Sequence, residues 1–179
     1  MGIEREISGI ISSGVRQSMT QTTIQKLDTE WITQKNFAPY GQLILPTEDG
    51  KPYDETEAKL DLNLGTPRFY IMQLKHRGKQ FSLITRHQLC TQCLGALEGK
   101  SWFLAVAPPN SEQKPDVNQL KAFCIPGNCF VKLHKGTWHA GPYFDADVIN
   151  FYNLELSDTN EVDHFSYDFL ASDHLIWEI

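Results

Sequence analysis

Hydrophobic and polar positions alternate along most of this chain in stretches too brief for helices. "QLILP", "RFYIMQLK", "QFSLIT", "TQCLGAL", "SWFLAVAP", "LKAFCIP", "CFVKL" and "VINFYNLEL" are rich in branched and aromatic residues, which suit a pleated, half-buried surface. Turn pairs punctuate them: Arg77-Gly78, Glu98-Gly99, Pro126-Gly127, Lys135-Gly136 and Gly141-Pro142. Short strands at this spacing predict an all-β domain, either an antiparallel sandwich or a jelly-roll barrel, with one or two short helices. One helix is expected between Leu27 and Phe37, with Asp28 as N-cap and Glu30 in its first turn, ended by Pro39 and Gly41.

Residues 1–24, rich in Ser, Thr, Gly and Gln, read as a flexible N-terminal extension, and Met19 is a second possible start. Residues 25–179 then form a single domain. Inside it, "PTEDGKPYDETEAKLDLNLGTP" is a long polar loop, and loops of that length are usually functional or disordered.

Composition narrows the function classes. A chain of 179 residues with 41% hydrophobic positions can bury a substantial core. A formal charge of -6 argues against a nucleic-acid partner, which would need clustered Lys and Arg. No apolar run approaches the ~18 residues of a membrane span. Acids within "MGIEREISGI" break a signal-peptide core, and Glu6 stands where a myristoylation signal wants Ser or Thr, so a cytoplasmic location is expected. Cys90 and Cys93 have the Cys-x-x-Cys spacing, but "LCTQCLGAL" is apolar. With Cys124 and Cys129 they read as reduced core cysteines rather than a redox pair or zinc site.

The densest chemistry lies in "HKGTWHAGP", residues 134 to 142, where His134 and His139 flank a Lys135-Gly136 turn. Together with "TRHQLCTQCLGALEG", this region resembles the two metal-site motifs of the cupins, a jelly-roll superfamily. On that resemblance His87 stands at the second histidine of the first motif, Gln92 at its glutamate and Thr85 at its first histidine. In the second motif His134 replaces a proline, Gly136 keeps the turn and His139 is the terminal histidine.

Further stretches narrow the likeness. "NFAPYGQLI", "RHQLCTQCLGALEG", "FLAVAPP", "KPDVNQLKAF" and "VKLHKGTWHAGP" together resemble the ureidoglycolate lyase family, also called ureidoglycolate hydrolase. The resemblance implies a homodimeric cupin that cleaves ureidoglycolate to glyoxylate and urea in purine catabolism through allantoin. Its substrate carbon bears a carboxylate, a hydroxyl and a ureido nitrogen, so the reaction needs a base, an acid and a cation. His87 and His139 would be the catalytic pair. Arg86 or Lys135 would hold the carboxylate, with Gln92, Thr91 and His134 completing the substrate site. A divalent metal ion on His87, Gln92 and His139 stays open, as does a site without metal. Thr85 stands where the family commonly has Glu, and Glu155-Leu156 where an Asp-Arg pair is expected. Two alternatives stand beside this: a non-catalytic cupin that binds a small carboxylate, and a metal-dependent cupin of another reaction. His76, His164 and His174 read as surface or packing residues, and "LELSDTNEVDH" as a solvated loop.

Overall fold

The computed structural model describes residues 21–179. The chain begins with β1 (Thr23–Lys26), β2 (Thr29–Trp31), α1 (Gln34–Phe37) and β3 (Gly41–Ile44). After the long loop come β4 (Pro67–Lys75), β5 (Gln80–Phe81), β6 (Leu83–Arg86), β7 (Gln92–Ala96) and β8 (Gly99–Ala107). The second half holds β9 (Lys121–Gly127), β10 (Phe130–Leu133), β11 (Trp138–Tyr143) and β12 (Val148–Leu156). Last come α2 (Thr159–Val162), β13 (Phe165–Asp168), α3 (Phe169–Asp173) and β14 (Leu175–Glu178).

Two large sheets face each other, in the order β3-β10-β7-β12-β4 and β13-β6-β11-β8-β9-β2. The core between them contains Trp102, Leu104, Val106, Phe123, Val131 and Phe151. Trp102 and Phe151 meet edge to face at 5.3 Å, and burying each such ring stabilises the fold by roughly 1.5–3 kcal/mol. A small sheet, β1-β14-β5, lies with α3 beside the six-stranded sheet and forms a second core of Phe81, Ile84, Trp138, Phe169 and Trp177. This explains the unbroken apolar run of β8: Leu104 and Val106 belong to one core, Ala105 and Ala107 to the other. A strand buried on both faces has no polar side to alternate with. The architecture is an all-β, cupin-type sandwich with open edges rather than a closed barrel.

The eight apolar runs all contain strands, but the amino-terminal expectations need correction. Thr29 to Trp31 is a strand, not the first turn of a helix, because it pairs in parallel with Ala122 to Cys124 of β9. The helix is one turn, Gln34–Phe37, capped by Thr33 rather than Asp28. The Thr33 hydroxyl accepts from Asn36 N, and the Asn36 side chain accepts from Thr33 N. Thr23 and Ile24, expected in a flexible extension, belong to β1 and pair with Leu175 and Ile176. The possible start at Met19 lies outside the described residues. Three one-turn α-helices occur where one or two were expected, and no helix is long and apolar enough to cross a membrane among the described residues.

The long loop is strapped down. The Gln42 side chain donates to the Glu57 carbonyl and accepts from Lys59 N. Further on, Asp61 and Thr91 exchange backbone and hydroxyl hydrogen bonds. The four cysteines form no disulfide, and three are buried.

Candidate active site

The Lys135-Gly136 turn delivers β11 into the six-stranded sheet. Gly136 sits at φ +81°, where a side chain would strain the backbone, and its N–H donates to the His87 carbonyl at 2.6 Å. β11 lies beside β6, with His139 opposite Thr85. His87, two residues beyond Thr85, returns to the same face. The two imidazole centroids are 5.1 Å apart, and His164, one residue before β13, lies 5.7 Å from His87. The two histidines expected as a catalytic pair therefore come from one sheet, His87 just past the end of β6 and His139 on neighbouring β11.

Each inner ring is oriented by a backbone carbonyl. His87 Nδ1 donates to Asp163 O, and His139 Nδ1 donates to Thr137 O at 3.3 Å. A carbonyl can only accept, so Nε2 is left as the basic nitrogen of both rings. Burial pushes His87 below the usual imidazole range, and the Asp163 carbonyl only partly offsets this. His139 is pushed down to about 3, by burial first and by His87 second. Both rings are neutral at neutral pH, with Nε2 unprotonated, and burial disfavours the imidazolium form of each.

The space enclosed between His87, Gln92 and His139 is too small for a water molecule. Room for a ligand lies on the other side of His139. A cleft of about 410 Å³ there is lined by His139, His164, Thr85, Ser166, Arg77 and Tyr143. That volume falls in the roughly 300–1,000 Å³ range of small-molecule sites. The Thr85 and Ser166 hydroxyls are 2.7 Å apart. Arg77 is exposed, its guanidinium 5.0 Å from the Tyr143 ring centroid, and it makes no ion pair among the described residues. A larger cavity of about 630 Å³, between Pro108 and Gln119 and against Tyr167, has no histidine in its lining.

The structure gives the other sequence-predicted residues different work. Arg86 precedes His87 in an extended segment and so faces the opposite side of the sheet. It is 4% exposed, its guanidinium 4.3 Å from the Trp138 ring centroid, and Nη1 donates to the Asn110 carbonyl. It cannot hold a carboxylate in the cleft. Lys135 is bound to Asp61 at 2.6 Å, which pulls the Asp61 carboxyl below its usual range. Thr91 is buried and also holds the Asp61 segment. His134 accepts from Lys132 Nζ at 3.1 Å and donates from Nε2 to the Ala38 carbonyl; its pKa is lowered by burial and then by Lys132. Gln92 donates from Nε2 to Glu155 Oε2 at 2.9 Å, and its Oε1 has no partner among the described residues.

The proposed metal set does not fit. His87, His139 and Gln92 offer two ring nitrogens and one amide oxygen around a closed space. Among the described residues no group of three or more His, Cys, Asp and Glu side chains is arranged to hold a metal. Two nitrogens and a neutral oxygen are a weak set for a divalent ion.

Four residues at or beside the cleft escape the sequence motifs. His164 lines the cleft, although it read as a surface residue. Arg77 lies in a turn with no pattern to mark it. Glu155, only 1% exposed, accepts from Gln92 and from Tyr70 Oη, and Asp163 is also buried. The stretch "LELSDTNEVDH" is therefore not a solvated loop. Its one available signal was the strand period, which places Glu155 on the same side as Phe151 and Asn153.

Fold and site together define a cupin-type β-sandwich with a cleft of small-molecule size lined by two histidines and an exposed arginine. The sequence model of the family described as ureidoglycolate lyase matches residues 52–168, a span containing Arg77, His87, His139 and His164. A Schizosaccharomyces pombe protein named ureidoglycolate lyase is 24% identical over 147 residues, covering 65% of this chain and 76% of that protein. The chain belongs to the ureidoglycolate lyase family and is a lyase.

Proposed function

We propose that this enzyme cleaves ureidoglycolate to glyoxylate and urea, in purine catabolism through allantoin, and that the reaction takes place in the cleft beside His139. The observation that carries this reading is the row of His87, His139 and His164, two of which line a cleft that also contains the exposed Arg77. Arg77 takes the substrate carboxylate, since Arg86 and Lys135 are committed elsewhere. His139, neutral and with Nε2 unprotonated, accepts the proton of the substrate hydroxyl, and the substrate carboxylate beside it offsets the burial that otherwise disfavours the imidazolium. As that oxygen becomes a carbonyl, the carbon–nitrogen bond breaks and the ureido nitrogen needs a proton. His164, exposed on the same cleft, supplies it, and urea leaves. The Thr85 and Ser166 hydroxyls offer donors and acceptors to the ureido group. No step is routed through a metal ion.

The decisive experiment incubates the purified chain with ureidoglycolate and measures urea, ammonia and glyoxylate. Equal yields of urea and glyoxylate support the reading. Ammonia in place of urea makes the enzyme an amidohydrolase, and thermal stabilisation by glyoxylate with no product makes it a binding protein.

A homodimer in the cytoplasm is part of the same proposal. The outer face of the five-stranded sheet exposes Phe69 and Ile71, with Phe69 stacked on Tyr152 at 5.3 Å, an apolar surface of the kind that pairs subunits. Light scattering on the purified chain reads the mass directly, and a monomer at micromolar concentration rejects the dimer.

A further inference from the structure

We propose that Asp163 is a positioning residue that sets the tautomer and placement of His87 from outside the strand that carries it. His87 lies beyond the last paired residue of β6, where the ladder no longer holds the chain. Three consecutive residues there are gripped by one side chain and its own carbonyl. Asp163 O accepts from His87 Nδ1, Oδ1 accepts from Gln88 N at 2.7 Å, and Oδ2 accepts from Leu89 N at 2.8 Å.

Asp163 is itself held. As the residue that ends α2, it donates its N–H to the carbonyl of Thr159, the first residue of that helix, and it is 9% exposed. The same turn touches the next residue of the β6–β7 connection through Thr159 Oγ1 and Cys90 Sγ at 3.5 Å. On the other side, the His87 carbonyl accepts from Gly136 N, so His87 is clamped between the α2 turn and the turn that launches β11. The peptide after Asp163 leads into His164, whose ring centroid lies 5.7 Å from that of His87.

The carboxylate does what a neutral side chain cannot: each oxygen takes one backbone N–H, which leaves the Asp163 carbonyl free for the ring. An asparagine has one acceptor oxygen, and its amide nitrogen would oppose one of the two N–H groups. The turn would then open and the ring would lose the carbonyl that selects Nδ1–H. Partners that orient metal-bound histidines cost about 10- to 100-fold in activity when removed, and a loss of that order is expected for this ring as well. This inference rests on the proposed role of the histidine row, in which His87 acts by placing the His139 ring 5.1 Å away, yet its central readout is independent of activity.

The experiment uses the full chain labelled with ¹⁵N at histidine, with His87 assigned through a His87→Gln variant. At neutral pH the wild-type spectrum should show His87 protonated at Nδ1 and bare at Nε2, and Asp163→Asn should mix the two tautomers. With ureidoglycolate, Asp163→Asn should lower kcat by about 10- to 100-fold while KM stays within about twofold. In a His87→Gln background the Asp163 substitution should cost nothing more. A wild-type His87 protonated at Nε2 overturns the proposal, even if the variant does not fold. So does an Asp163→Asn protein with unchanged tautomer and kcat. If no urea forms but the tautomer shift appears, the function reading fails and the positioning role stands.

Discussion

The two faces of the six-stranded sheet around β6 and β11 are built from alternate residues of the same two segments, and they do opposite work. On one face Ile84, Arg86 and Trp138 close over each other beside Phe165 and Asn110, and the arginine is consumed in packing. On the other, Thr85 and His139 border a cleft that holds the exposed Arg77 and His164. A buried cation beneath an aromatic ring contributes to stability, whereas an exposed cation beside imidazoles is available to a ligand. Residue type alone does not separate the two arginines; their side of the sheet and their partners do.

Substitutions that exchange stability for activity test this contrast. The largest effect is expected from His139→Ala, which should lower kcat by about 10²- to 10⁴-fold with little change in melting temperature, measured by urea release and calorimetry. Unchanged turnover in a folded protein would remove the cleft from the chemistry. Next, Arg77→Ala should raise KM by about 10- to 100-fold, the worth of a charge-assisted contact, and leave stability nearly unchanged. Arg86→Met should do the reverse and cost about 1–3 kcal/mol in denaturant unfolding with kcat and KM preserved. An Arg86 variant that is stable but weak in substrate binding would return that residue to the site.

The pH dependence of stability follows from the inner rings. His87 and His139 titrate lower in the folded chain than in the unfolded one. Below the ordinary imidazole value of 6.5 the unfolded chain therefore binds more protons. Stability from this source is complete above pH ~6.5 and falls as the pH drops toward the folded value near 3. Urea midpoints should fall from pH 7 to pH 5, and His139→Leu should flatten that slope. The smallest effect belongs to Lys135→Ala, which breaks an exposed ion pair with Asp61 and should leave both the urea midpoint and KM nearly unchanged.

The strands that were legible are those with a buried side. β8 and β12 declare themselves by branched and aromatic residues, because each lines a core. β1, β2 and β13 did not, since their residues are largely exposed and their order comes from distant partners, such as Ser166 of β13 beside Thr85. In the site, His87 and His139 were visible through their motifs. Arg86 and Lys135 were misassigned because a motif reports residue type and not partner. The period-two rule already forbade Arg86 and His87 from facing one side, which would have excluded the arginine before any coordinates.

By itself the sequence determined the class of structure and the two central histidines. Strand periodicity reports burial locally, and the glycine at position 136 marks a backbone turn that few other residues adopt. Only the tertiary structure decided which cation is free, where the room for a ligand lies and that His164 joins the pair. Those depend on register between segments far apart in the chain, as when Thr85 meets Ser166 across 81 residues. Pairing of that kind is set by the whole core, and no short stretch of sequence carries it.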